Sequence, residues 1–101
     1  MSSILFDPEA KDEFLEAVQF YEGCQEGLGY RFRLAIESAT QNIAKTPFMY
    51  RVLQAPFRRH LVTKFPYSII YSIEPDHIRI IAVAHNKRKP GYWQKRSAKV
   101  T

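Results

Sequence analysis

Tyr67-Ser68-Ile69-Ile70-Tyr71-Ser72-Ile73, Glu74-Pro75-Asp76-His77 and Ile78-Arg79-Ile80-Ile81-Ala82-Val83-Ala84 follow one another without a break. In the first segment Tyr67, Ile69, Tyr71 and Ile73 alternate with Ser68, Ile70 and Ser72. A period of two places successive side chains on opposite faces of a strand. The last segment is rich in β-branched residues, which favour strands. Between them, Pro75 stands second in a tight turn, where its fixed φ fits. These stretches predict a hairpin of adjacent antiparallel strands. Upstream, Phe57 to Thr63 continues the pattern, with Arg59, Leu61 and Thr63 on one side and Arg58, His60 and Val62 on the other. Tyr50 to Pro56 reads as a connector.

Before Pro47 the period is helical. Ala10, Phe14, Ala17, Val18 and Tyr21 recur at helical spacing, and Leu28, Phe32, Ala35, Ile36, Ala39 and Ile43 form a second apolar stripe. Asp7 suits an N-cap and Pro8 the first helical position. The first helix is predicted to end near Tyr21 to Gly23, with Gly23, Gly27 and Gly29 marking a turn. The second is predicted to run from about Leu28 to Lys45, stopped because a residue before proline is pushed out of the helical region. Ile4-Leu5-Phe6 reads as a first strand. The order is β-α-α-β-β-β: an α+β fold in which a helical hairpin packs on one face of a small, mainly antiparallel sheet. Phe14, Val18, Phe32, Ile36, Ile43, Ile69, Tyr71, Ile80 and Ala82 are the expected core between helices and sheet. Residues past Arg96 are expected to fray.

The 101 residues, 46% hydrophobic and 25% charged, fit one globular domain over 1–101 with its core in about 3–96. No apolar run is long enough to span a membrane, and the stretch from Met1 to Phe6 lacks the basic start of a signal peptide. Cys24 is the single cysteine, which excludes an internal disulfide and a cysteine metal cluster. It is expected to be a partly buried apolar filler. A cytoplasmic protein is the simple expectation.

Charge is polarised along the chain. Residues 1–50 carry eight acids and four bases (−4), and residues 51–101 two acids and eleven bases (+9). A basic surface aimed at an acidic partner is one reading, and solvated tails are the other. His60, His77 and His85 lack metal-ligand spacing, and no cofactor motif is present, so neither metal nor cofactor is expected. The candidate binding set is Arg58, Arg59, His60, Lys64, Arg79, Lys87, Arg88, Tyr92 and Trp93. Arginine and lysine bind phosphates, and Tyr92 or Trp93 either stacks a base or closes the core. Metal-free RNA cleavage would need a base, an acid and a cation, and His85, Tyr92 and Arg88 are of those types.

The element order, the Arg58-Arg59-His60 strand, Phe65-Pro66-Tyr67-Ser68-Ile69-Ile70-Tyr71 and the ending His85-Asn86-Lys87-Arg88-Lys89-Pro90-Gly91-Tyr92-Trp93 together resemble the RelE/ParE toxin superfamily. Gly27-Leu28-Gly29-Tyr30-Arg31-Phe32 resembles the G-L-G-x-R-F opening of the second helix in many ParE-like members. The resemblance implies the toxin of a bacterial type II toxin–antitoxin, or plasmid stabilisation, system, with a cognate antitoxin as partner. ParE-like members inhibit DNA gyrase, whereas RelE-like members cut mRNA on the ribosome. In RelE-like nucleases the matching strand carries a catalytic arginine, and Ser68 stands there in this chain. The resemblance therefore implies a ParE-like binding protein, with a ribosome-dependent mRNA endonuclease using His85, Arg88 and Tyr92 as the alternative. An inert remnant that binds only its antitoxin is a third class.

Overall fold

The computed structural model describes residues 3–97. The elements are β1 (Ser3–Phe6), α1 (Pro8–Cys24), α2 (Leu28–Lys45), β2 (Arg51–Gln54), β3 (Phe57–Leu61), β4 (Tyr67–Ile73), β5 (His77–His85) and α3 (Gln94–Ser97). The sheet order is β1-β5-β4-β3-β2. β1 runs parallel to β5, and the remaining neighbours are antiparallel. The two long helices lie on one face, so the predicted α+β arrangement is the observed one. Of the residues past Arg96, where fraying is expected, Ser97 instead closes α3, and 98–101 lie outside the described residues.

Two elements, β2 and the short α3, stand outside the expected β-α-α-β-β-β order. Residues 51–54 form an edge strand, not a connector. All four are exposed, so no buried face imposes an alternation that a sequence reading could detect.

The helical hairpin is closed by one carboxylate and one glycine. Glu22 accepts from the Gly27 N–H (2.9 Å) and the Gly29 N–H (3.0 Å), satisfying donors at the start of α2. Gly27 adopts φ 85°, a conformation that disfavours residues with a Cβ. A Cβ on Gly29 would lie 2.6 Å from the Val18 carbonyl oxygen, so the helices approach to backbone contact there. Asp7 occupies the N-cap position of α1 as predicted, but its side chain makes no capping bond. It holds Arg79 instead.

Phe32 is the centre of the helix-side core. It is fully buried, and its ring meets those of Tyr67 (4.9 Å), Tyr21 and Phe65 (both 5.1 Å) and Phe14 (6.3 Å). Ile36, Ile43, Ile69, Tyr71, Ile78, Ile80 and Val83 complete this core, with Phe14 and Val18 packed at its margin. Ala82, expected among them, lies on the opposite face with Ile70, Ile81, Ala84 and Trp93. The cause is a register shift: Ile70 pairs with Ala82 but Tyr71 with Ile80, so Ile81 is an extra residue in β5. A β-bulge of this kind resets the alternation beyond it.

Phe32→Ala should cost about 3–5 kcal/mol, the range for emptying a packed aromatic site. Gly29→Val should also destabilise, because the Val18 backbone must move. Urea unfolding of both variants checks the assignment, and wild-type midpoints would contradict it.

Candidate functional site

On the open face of the sheet, the segment after β5 folds back. Ser68 is buried, and its hydroxyl donates to Asn86 Oδ1 (2.6 Å), anchoring the turn that leaves β5. Trp93 then lies over Ile70, Ile81, Ala82 and Ala84, 5% exposed, with its ring 5.0 Å from that of Phe57. Of its two sequence readings, closing the core is the one observed.

This return is fastened by Glu13, projecting from α1. One carboxylate oxygen accepts from the Val83 N–H (3.0 Å) and from Arg96 Nη1 (2.9 Å). The other accepts from the Tyr92 hydroxyl (2.5 Å) and from Arg96 Nη2 (3.0 Å). Arg96 also donates to the Ile81 carbonyl (3.0 Å). Burial, then the hydrogen bond to Glu13 and its charge, raise the Tyr92 phenol above its ordinary value. The hydrogen bond to Glu13 is likewise the main cause raising the Arg96 guanidinium. Arg88 stacks on the Tyr92 ring at 3.8 Å, with Nη1 4.0 Å from Glu13.

The candidate residues do not form one basic face. Arg58 points to the helix side, where Nη1 donates to the Phe48 and Tyr50 carbonyls (3.0 and 2.8 Å) and clips the loop after α2. Beside it, Tyr71 donates to the Pro47 carbonyl (2.6 Å), and burial pushes its phenol up to about 12. Arg79 is bound to both Asp7 oxygens, with contacts of 2.7–3.1 Å, and this pairing raises its pKa. Both arginines therefore serve the fold. The His60 ring meets that of Tyr50 at 4.2 Å in a tilted contact and, with Lys64, borders a groove of about 540 Å³ against α2. Lys64 adopts φ 73°.

Arg59, His85, Arg88, Tyr92 and Trp93 do come together, lining a cleft of about 170 Å³ with Asn86 and Lys89. The Lys87 backbone N–H donates to His85 Nδ1 (3.0 Å), which leaves the proton of the neutral ring on Nε2. The Lys87 side chain is exposed in the turn. Cys24 is exposed at the end of α1, not a buried filler. Among the described residues, no group of three or more His, Cys, Asp or Glu gathers as metal ligands, and no helix is long and apolar enough to cross a membrane.

Sequence reasoning missed Glu13, counting it with the polar face of α1. Its spacing held the signal, since Glu13 lies three residues after Ala10 and four before Ala17, both buried. Arg51 was missed with its strand.

The family model described as the ParE toxin of the type II toxin–antitoxin system parDE matches residues 4–90. A solved structure, the chromosomal ParDE toxin–antitoxin system from P. aeruginosa, is similar in fold, with TM-score 0.62 and 12% identity. The match covers 84% of this chain and 96% of that one. No curated protein sequence matches the chain.

Glu13→Gln should weaken the fastening by about 1.5–3 kcal/mol, the scale of hydrogen bonds to charged groups. Denaturant midpoints test this, and an unchanged midpoint would refute the role. Burial lowers the pKa of His60. The unfolded chain therefore binds the extra proton first, below its ordinary value of about 6.5, and stability should fall as pH drops through that value. His60→Gln should flatten that part of the pH–melting curve.

Proposed function

Because the chain belongs to the ParE toxin family of type II toxin–antitoxin systems, we propose that it is the toxin of such a pair. It acts in the cytoplasm by binding a macromolecular target such as DNA gyrase, and a cognate antitoxin neutralises it. The observation that carries the choice of binding over cleavage is the state of Tyr92. Its hydroxyl is committed to the Glu13 carboxylate, its ring is covered by Arg88, and its pKa is raised. A general acid works best with a pKa near the operating pH, and this phenol has moved further away. Ser68, where a nuclease would place a cation, is buried and bonded to Asn86. Losing one charge-stabilising donor typically costs about 10²–10³-fold in rate.

The groove between α2 and the end of β3 supports the antitoxin half of the reading. Leu28, Leu34, Ala35 and Phe65 give it an apolar lining, and Arg31 and Lys64 border it. That combination suits an amphipathic segment with acidic flanks laid along α2. The exposed β2 edge offers a strand-addition site as well. Arg58 and Arg79, candidates for the same surface from sequence, are held by the fold and contribute little to it.

Induced expression tests the reading, with the DNA-damage response and mRNA cleavage followed in parallel. Growth arrest with a damage response and without codon-phased cleavage is expected. Arg88→Ala should weaken the arrest. Codon-phased cleavage in a purified translation reaction that disappears in His85→Ala or Tyr92→Phe would establish the endonuclease instead. Co-expression with the protein encoded next to this gene should raise yield and melting temperature, because a ligand that binds only the folded state stabilises it.

A further inference from the structure

Arg51 and Arg59 are direct cross-strand partners in the β2–β3 ladder, so both side chains leave the same face of the sheet. Like charges placed opposite each other destabilise an antiparallel pair. Among the described residues, neither guanidinium has an ion pair or hydrogen bond. Arg59 is also half-buried, on the wall of the 170 Å³ cleft. Arg88 and Lys89 line the same cleft, and no Asp or Glu does. Among the described residues, the fold thus leaves Arg51 and Arg59 without a partner carboxylate, in contrast to Arg79, Arg96 and, more loosely at 4.0 Å, Arg88.

The shape of the site narrows the anion. Single-stranded nucleic acid binds through cations together with rings on which bases stack. Here Tyr92 is covered by Arg88, and Trp93 is buried against the open face of the sheet. The cleft is also smaller than the roughly 300 Å³ at which sites begin to enclose a whole small ligand. It admits one compact anionic group. A guanidinium presents a planar fork of donors that matches a carboxylate.

We propose that Arg59 and Arg51 form a carboxylate seat, which takes an Asp or Glu side chain from a peptide segment of a partner protein. Arg88 and Lys89 add longer-range attraction. The proposal rests on the reading of the chain as a protein-binding toxin and names the chemistry by which its partner is held.

The test is a titration of the full-length protein, at low ionic strength, with an N-acetylated, C-amidated hexaglutamate peptide. Arginine Nε–H and tryptophan indole NMR signals report binding, Trp93 being the single tryptophan. Saturable shifts at Arg59 and Trp93 are expected. Arg59→Gln should weaken binding by about tenfold or more, and Arg59→Lys should fail to restore it, since lysine lacks the fork. Lys11→Gln on α1 removes an equal charge elsewhere and should leave affinity within about twofold. Melting curves show that each variant is folded. No saturable shift at Arg59, equal affinity for Arg59→Gln, or Arg59-dependent binding of oligouridylate or oligothymidylate in preference to the peptide would overturn the seat. If the peptide fails while induced protein still arrests growth and its neighbour-encoded antitoxin relieves the arrest, the seat falls and the toxin reading stands. If the peptide binds at Arg59 and expression never arrests growth, the seat stands and the toxin reading falls.

Discussion

β1 stops at Phe6, opposite Ile80, while β5 continues to His85. The Asp7 N–H reaches the Ile80 carbonyl (2.9 Å), and there the parallel ladder ends. Buried backbone groups must find partners. In this fold the supply comes from side chains: Arg96 takes the Ile81 carbonyl, and Glu13 takes the Val83 N–H. These substitutes draw α1, β5 and the returning chain together at one point. Tyr92 joins through its hydroxyl and Arg88 through its stacking, so the shortness of one edge strand determines where the basic end of the chain lies.

The sheet therefore separates two environments. Its helix side is a dry aromatic and aliphatic core centred on Phe32. Its other side has only a small apolar patch, closed by Trp93, and beyond that patch the surface is cationic. The bulge at Ile81 makes this division possible. Without the extra residue, Ala82 would face the helices and Val83 the tail, and the Val83 N–H would no longer meet Glu13. This arrangement holds the Tyr92 hydroxyl on Glu13 and Arg88 over the Tyr92 ring, which is what the proposed docking role uses.

Arginine illustrates how one residue type is divided among tasks. Arg58 serves as a clip for backbone carbonyls after α2, Arg79 as a counter-ion for Asp7, and Arg96 as a partner for Glu13 and Ile81. Arg51 and Arg59 face each other in the ladder, and among the described residues neither has an ion pair. A basic sequence says how many cations exist, and only the pairing says which are left for another molecule.

The amino-acid sequence by itself determined the fold class. The apolar stripes of residues 10–21 and 28–43, the stop at Pro47 and the strict alternation of Tyr67 to Ile73 are local patterns, and each became the element it specified. Secondary structure obeys periods of two or about four residues, which one chain displays without its partners. The edge strand β2, the bulge in β5 and the occupation of the arginines followed no such period. Arg79 meets an acid 72 residues away, and Arg96 one 83 residues away. Such pairings depend on where the sheet brings distant side chains: the sequence named Arg59, His85, Arg88, Tyr92 and Trp93, and tertiary structure decided that these gather while Arg58 and Arg79 are held by the fold.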